Sequence, residues 1–148
     1  MLYAATMAEH AERPVRVDRV IFMLLLHDLV EIDAGDAPIH GDHDPAEMAL
    51  KEQTAADRIF GLLPEDQATR YRALWDEFEA SETDDAIFAK SIDRIQPVIA
   101  NLASGGGTWG EYNVTYQQLE DRVGVKARRG ASAIWLHLED RIRSWFGV

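Results

Sequence analysis

Apolar positions along the chain recur at three- and four-residue intervals almost throughout, and strict alternation is nearly absent. That period predicts helices and argues against sheet. The greasiest stretch is Val20-Ile21-Phe22-Met23-Leu24-Leu25-Leu26-His27-Asp28-Leu29-Val30-Glu31-Ile32, with Gly35 as its stop. A helix apolar on nearly all sides is expected to be buried. Asp44-Pro45-Ala46-Glu47 combines an N-cap, a proline at the first helical position and a capping-box acid, opening a helix that Gly61 can close. Pro64 opens the next, through Trp75 and Phe78 to about Ala80. Thr83-Asp84-Asp85 caps a long helix to about Ser104, in which Phe88, Ile92, Ile95, Ile99 and Leu102 follow spacings of 4, 3, 4 and 3, and Pro97 is expected to bend it. Gly105-Gly106-Gly107 reads as a loop. Helices around Thr115–Val123 and Ser132–Phe146 complete an all-α bundle of about six helices. No linker, repeat or low-complexity tract interrupts the pattern, so residues 1–148 read as a single domain.

Composition narrows the function. With 47% apolar residues the chain can close a real core. Its 26 acidic against 15 basic residues, net charge −11, argue against nucleic acid or an anionic membrane as partner. A small phosphate ester remains open, because a metal ion can meet its charge. There is no cysteine, hence no disulfide, thiolate metal site or cysteine nucleophile. The apolar run at 20–32 is too short for a bilayer span, which needs roughly 20 residues, and the first residues lack the basic stretch of a secretory signal. The expectation is a cytoplasmic protein.

The greasy helix carries three ionisable groups, His27, Asp28 and Glu31, gathered on an arc of about 100°. Buried carboxylates are nearly always paired or metal-bound. On the long helix Asp93 shares a flank with Ala86, Ala89 and Ala100. Those small side chains would let another helix approach closely. Two readings follow: His27, Asp28 and Asp93 meet around one ion, or Asp93 pairs with Arg94, Lys90 or another surface charge. An imidazole with carboxylates suits Mn²⁺, Fe²⁺, Co²⁺, Ni²⁺ or Zn²⁺ better than Mg²⁺.

The string His27-Asp28-Leu29-Val30-Glu31-Ile32-Asp33-Ala34-Gly35-Asp36, followed by Ala89-Lys90-Ser91-Ile92-Asp93-Arg94-Ile95-Gln96-Pro97, resembles the HD-domain metal-dependent phosphohydrolases. The nearest branch holds bacterial 5′-deoxynucleotidases of the YfbR type and their eukaryotic HD-domain relatives. Lys51-Glu52-Gln53-Thr54-Ala55-Ala56 and Leu74-Trp75-Asp76-Glu77-Phe78-Glu79 resemble that branch as well, and the likeness runs from about Ala8 to the C-terminus. It implies an all-α bundle, a homodimer, and a divalent metal held by His27, Asp28 and Asp93. The family's catalytic acid falls on Glu31, and the acid after its glycine on Asp36. The implied reaction is hydrolysis of a deoxyribonucleoside 5′-monophosphate, a small-molecule substrate. The family's first metal-ligating histidine, with an arginine and a tryptophan of its nucleotide pocket, lies on an upstream helix. This chain starts downstream of that position, so it is expected to be truncated relative to the family and to turn over weakly or not at all. The alternative, from another class, is a non-catalytic helical dimer or binding module with a relic site.

Other candidates carry plainer readings. His40-Gly41-Asp42-His43-Asp44 is expected to be a polar loop leading into a cap rather than a second metal cluster, and His10 a solvated helix end. His137 is expected to be half-buried packing, and Glu79 and Glu82 a solvated acidic stretch. Trp75, Trp135 and Trp145 read as core or dimer residues. Trp109, beside three glycines, either closes over a ligand or anchors its loop. The glycine run lacks the Lys-Ser/Thr of a phosphate-cradling loop.

Overall fold

A computed structural model describes residues 1–148, and no strand occurs in it. Helix α1 (Leu2–Met7) runs into a 3₁₀ turn, Ala8–His10. Then follow α2 (Val17–Ala34), α3 (Pro45–Phe60), α4 (Glu65–Ala80) and α5 (Asp84–Ala103). Two single-turn helices, α6 (Thr108–Glu111) and α7 (Tyr116–Leu119), precede α8 (Val125–Phe146).

The local signals act where the sequence puts them. Asp44 accepts from the Ala46 amide at 2.8 Å and Thr83 from the Ala86 amide at 3.3 Å, each satisfying a donor that a helix start leaves free. Gly35, at φ +82°, ends α2 in a conformation that L side chains rarely adopt. Helix α5 runs continuously through Pro97.

The C-terminal third differs from the expected pair of helices. Helix α7 passes through a π-helical turn, Glu120–Gly124, directly into α8, and the break lies inside α8 at Ala131, φ −149° and ψ 50°. The break is held from a distance. Glu12 accepts from the Ser132 amide at 3.0 Å and from its hydroxyl, and the Glu12 amide donates to Gly130 O at 3.0 Å. Ser132 therefore does start a helical segment, capped by a carboxylate from the other end of the chain.

Helix α5 is the central element, packed against α1, α2, α4 and α8. It buries Phe88, Ile92, Ile95 and Val98, with Ala86 and Ala89 fully covered. Trp75, Trp109 and Trp135 are each at most 1% exposed and fill the core around it. Asp85, in the first turn of α5, is 6% exposed and accepts from the Arg16 amide at 2.8 Å and from its guanidinium at 2.9 and 3.1 Å, tying the entry of α2 to the start of α5. Helix α2 is not buried all round: Leu25 is 36% and Ile32 73% exposed, and Asp28 is exposed too. Its ionisable arc faces a cavity, not packed core. No helix is long and apolar enough to cross a membrane.

Candidate metal centre

The cavity has a volume of about 460 Å³ and lies between the C-terminal half of α2, the loop after Gly35, α5 and the α6 region. His27 and Glu31 are one helical turn apart, so they share a face. Nε2 of His27 is 3.3 Å from Glu31 Oε1 and 4.0 Å from Asp93 Oδ1, which α5 delivers from the opposite side. Ligand atoms of His27, Asp28 and Glu31 all lie within 4.8 Å of one another. Two ligands each roughly 2.1 Å from a single ion are about 3.4 Å apart in a tetrahedral site and at most about 4.2 Å apart. His27 and Glu31 already stand at such a spacing, small side-chain rotations bring the others to it, and the donor set of one imidazole and several carboxylate oxygens suits a divalent transition metal in its chemistry.

Electrostatics fit a site built for a cation. Burial pushes the Glu31 carboxyl up to about 7; His27 opposes the shift, while Asp36, Asp28 and Asp93 add to it. Asp28 is raised as well, by partial desolvation and by the charges of Asp93 and Asp36, against the pull of His27. Burial pulls His27 down, but Glu79, Asp93 and Glu31 together outweigh that and raise it. Partial burial and mutual repulsion raise these carboxyls, and a nearby positive charge acts to lower them.

Of the five residues expected to form the site, His27, Asp28, Glu31 and Asp36 all line this cavity, and Asp93 joins them. Glu31 stands nearer to His27 Nε2 than Asp93 does, so it is within ligand reach in addition to the acid role expected of it. Asp93 does not pair with Lys90. Its nearest cation is Arg94, Nε to Oδ2 at 3.8 Å, too long for a hydrogen bond.

Glu79 is the residue that sequence reasoning misplaced. It is not solvated: Oε1 lies 3.5 Å from His27 Nδ1, and Oε2 accepts from Lys90 Nζ at 2.8 Å. Burial acts to raise the Glu79 carboxyl, but His27 and Lys90 overcome it and hold the carboxyl below the usual value. The His27 ring rests on Phe78, centroids 4.7 Å apart, with Lys90 Nζ 4.3 Å from the centre of the same ring. Glu52 of α3 and Arg94 also line the cavity. No local pattern announces Glu79, because its partners His27 and Lys90 come from other helices.

The remaining candidates sort simply. His40 lines the cavity, but His40, Asp42, His43 and Asp44 form no cluster that could hold an ion. His10 and His137 are exposed, the latter against the expectation of half-burial. Trp109 is buried at the inner wall, its ring 5.1 Å from Trp145 and 5.2 Å from Phe146. It anchors its loop. Gly106, at φ +109°, lies beneath Trp145, where a Cβ would come within 2.3 Å of the indole. Trp145 itself is 38% exposed.

Residues 1–135 match the family described as HD domain. The 5′-deoxynucleotidase HDDC2 of Xenopus laevis is 30% identical over 113 residues, covering 76% of this chain and 50% of that protein. The protein of the same name from Mus musculus is 32% identical over 82 residues, 55% of this chain and 41% of its own length. The chain thus spans about half the length of the curated relatives it matches. A crystal structure described as a "predicted metal-dependent phosphohydrolase", from Magnetospirillum magnetotacticum MS-1, superposes with a TM-score of 0.88 at 41% identity, covering 97% of this chain and 73% of that one.

Proposed function

Because the chain belongs to the HD-domain family, we propose that it is a metal-dependent phosphohydrolase that releases phosphate from deoxyribonucleoside 5′-monophosphates. The observation that carries this reading is the meeting of two distant segments. The α2 cluster of His27, Asp28 and Glu31, with ligand atoms within 4.8 Å, faces Asp93 of α5, 4.0 Å from His27 Nε2. The names of the relatives support the substrate class, and the solved neighbour supports the metal-dependent chemistry.

In this reading His27, Asp28 and Asp93 hold the divalent cation. When bound, that cation supplies Lewis-acid polarisation of a phosphoryl oxygen and lowers the pKa of a coordinated water. Glu31 and Asp36 line the same cavity and divide the proton work. One carboxylate orients the attacking water and takes its proton; the other carboxyl gives a proton to the O5′ oxygen as its bond to phosphorus breaks. Water supplies the incoming oxygen, and nucleoside and inorganic phosphate leave. Glu79 turns His27 so that Nε2 faces the cavity. A cytoplasmic homodimer belongs to the same reading.

Phosphate release from a panel of 2′-deoxy- and ribonucleoside 5′-monophosphates, with Mn²⁺ or Co²⁺ added, tests it. Weak release, confined to the deoxy series, is expected. Stoichiometric metal binding with no release from any member would sink the reading, and sedimentation equilibrium decides the dimer.

A further inference from the structure

The cavity is an awkward place for an anionic substrate. Six carboxylates line it, Asp28, Glu31, Asp36, Glu52, Asp93 and Glu111, against a single arginine or lysine, Arg94. One divalent ion offsets only part of that negative charge. A phosphate monoester entering such a site is helped by a fixed cation beside the ion.

Arg94 is the one arginine or lysine in the lining, and two cations nearby are engaged elsewhere. Lys90 is engaged by Glu79 at 2.8 Å, and Arg122 donates to the Ile39 carbonyl at 3.2 Å. Arg94 sits on α5 one residue beyond Asp93, half-buried, with Nε buried and making no hydrogen bond. A buried guanidinium N–H without an acceptor is uncommon and costly. Its nearest carboxylate oxygen is 3.8 Å away and does not relieve it. A guanidinium presents its donors in a planar fork that matches two phosphate oxygens at once.

We propose that Arg94 binds the phosphoryl group of the substrate, forming the anion subsite beside the metal-holding residues His27, Asp28 and Asp93. The assignment deepens the phosphohydrolase reading and rests on it for the identity of the anion as a substrate phosphate. The free N–H then has its acceptor only when substrate or product phosphate is present.

Calorimetric titration of the Mn²⁺-loaded protein with inorganic phosphate tests the assignment in the wild type, Arg94→Lys and Arg94→Gln. Mn²⁺ affinity is measured on the same three proteins. Loss of a charge-assisted contact is expected to weaken phosphate binding about tenfold or more in Arg94→Gln. Arg94→Lys falls between, because it keeps a point charge without the fork. Mn²⁺ affinity should be unchanged or tighter. Equal phosphate affinity in all three proteins, or no phosphate binding by the wild type, overturns the proposal. So does a parallel fall in Mn²⁺ affinity, which would make Arg94 a support for Asp93. Arg94-dependent phosphate binding without hydrolysis of any phosphate monoester would uphold the anion subsite and remove the phosphohydrolase reading.

Discussion

His27 stands between carboxylates: its Nδ1 faces Glu79 at 3.5 Å while its Nε2 faces Glu31 of the same helix and Asp93 of α5. A carboxylate behind an imidazole fixes its tautomer and makes the opposite nitrogen a better ligand. Replacing Glu79 by Gln is therefore expected to weaken Mn²⁺ binding about 10–100-fold, read by metal titration. The same change leaves Lys90 over Phe78 without its carboxylate, so stability falls as well. Glu79→Gln combined with Lys90→Met separates the two effects: stability should recover while metal affinity stays low. Recovery of both would reduce Glu79 to a partner for Lys90.

Loading the site should stabilise the fold by mass action. At a free Mn²⁺ concentration of 100 Kd the gain is about 2.7 kcal/mol, or a rise in Tm of roughly 5–10 °C for a domain of this size. Asp28→Asn is expected to abolish most of that rise and to leave the metal-free Tm close to wild type, since Asp28 stands exposed at the cavity. A full shift retained in Asp28→Asn, measured by calorimetry with and without Mn²⁺, would remove Asp28 from the ligand set.

What the sequence disclosed was what acts locally. Asp44, Thr83 and Gly35 work on amides and angles within a few residues, and each sits where its helix begins or ends. The grouping of His27, Asp28 and Glu31 was legible for the same reason: one helical turn joins them. Asp93 was reached through its small neighbours and a family likeness. Glu79 was not legible, because its partners His27 and Lys90 lie on two other helices. The break at Ala131 was equally hidden, since the carboxylate that caps it, Glu12, is 120 positions away. The burial of α2 was overread: apolar residues surround it, yet composition does not say which sides meet a neighbour, and Leu25 and Ile32 are left exposed.

The contact of α5 with α8 depends on a missing side chain. A Cβ at Gly130 would stand 2.7 Å from Ser91 Oγ and 2.8 Å from the Ile87 carbonyl. Ser91 Oγ, 2.8 Å from Ile87 O and 3.1 Å from Lys126 O, bridges the two helices at that point. Gly130→Ala must push backbone from backbone and is expected to cost about 1–3 kcal/mol. Gly124→Ala is the control. Its Cβ would meet the carboxyl end of Glu120, at 2.7 Å, a side-chain terminus paired with Arg128 rather than backbone, and helix propensity favours alanine by up to about 1 kcal/mol. Urea denaturation of both variants should rank Gly130→Ala well below wild type and Gly124→Ala near or above it. The reverse order would mean that the two helices do not approach here.

The loop between α2 and α3 should respond to acid through His40. Burial, with Arg122 adding to it, holds this imidazole below its usual value. Its Nδ1 is enclosed without a hydrogen-bond partner. The sign follows directly: at neutral pH the folded and unfolded chains both carry a neutral His40 and the group costs nothing. As pH falls below about 6.5 the unfolded chain takes up a proton that the folded loop resists, so acid loosens the loop. An NMR titration of the His40 ring should give a midpoint below 6.5. Arg122→Gln should raise that midpoint part-way only, because burial is the larger cause and remains. Amide exchange in residues 36–44 should quicken between pH 6.5 and 5 in the wild type and much less in His40→Gln, where no proton is taken up. A midpoint at the ordinary value would mean that His40 faces solvent and that the cavity is open on that side.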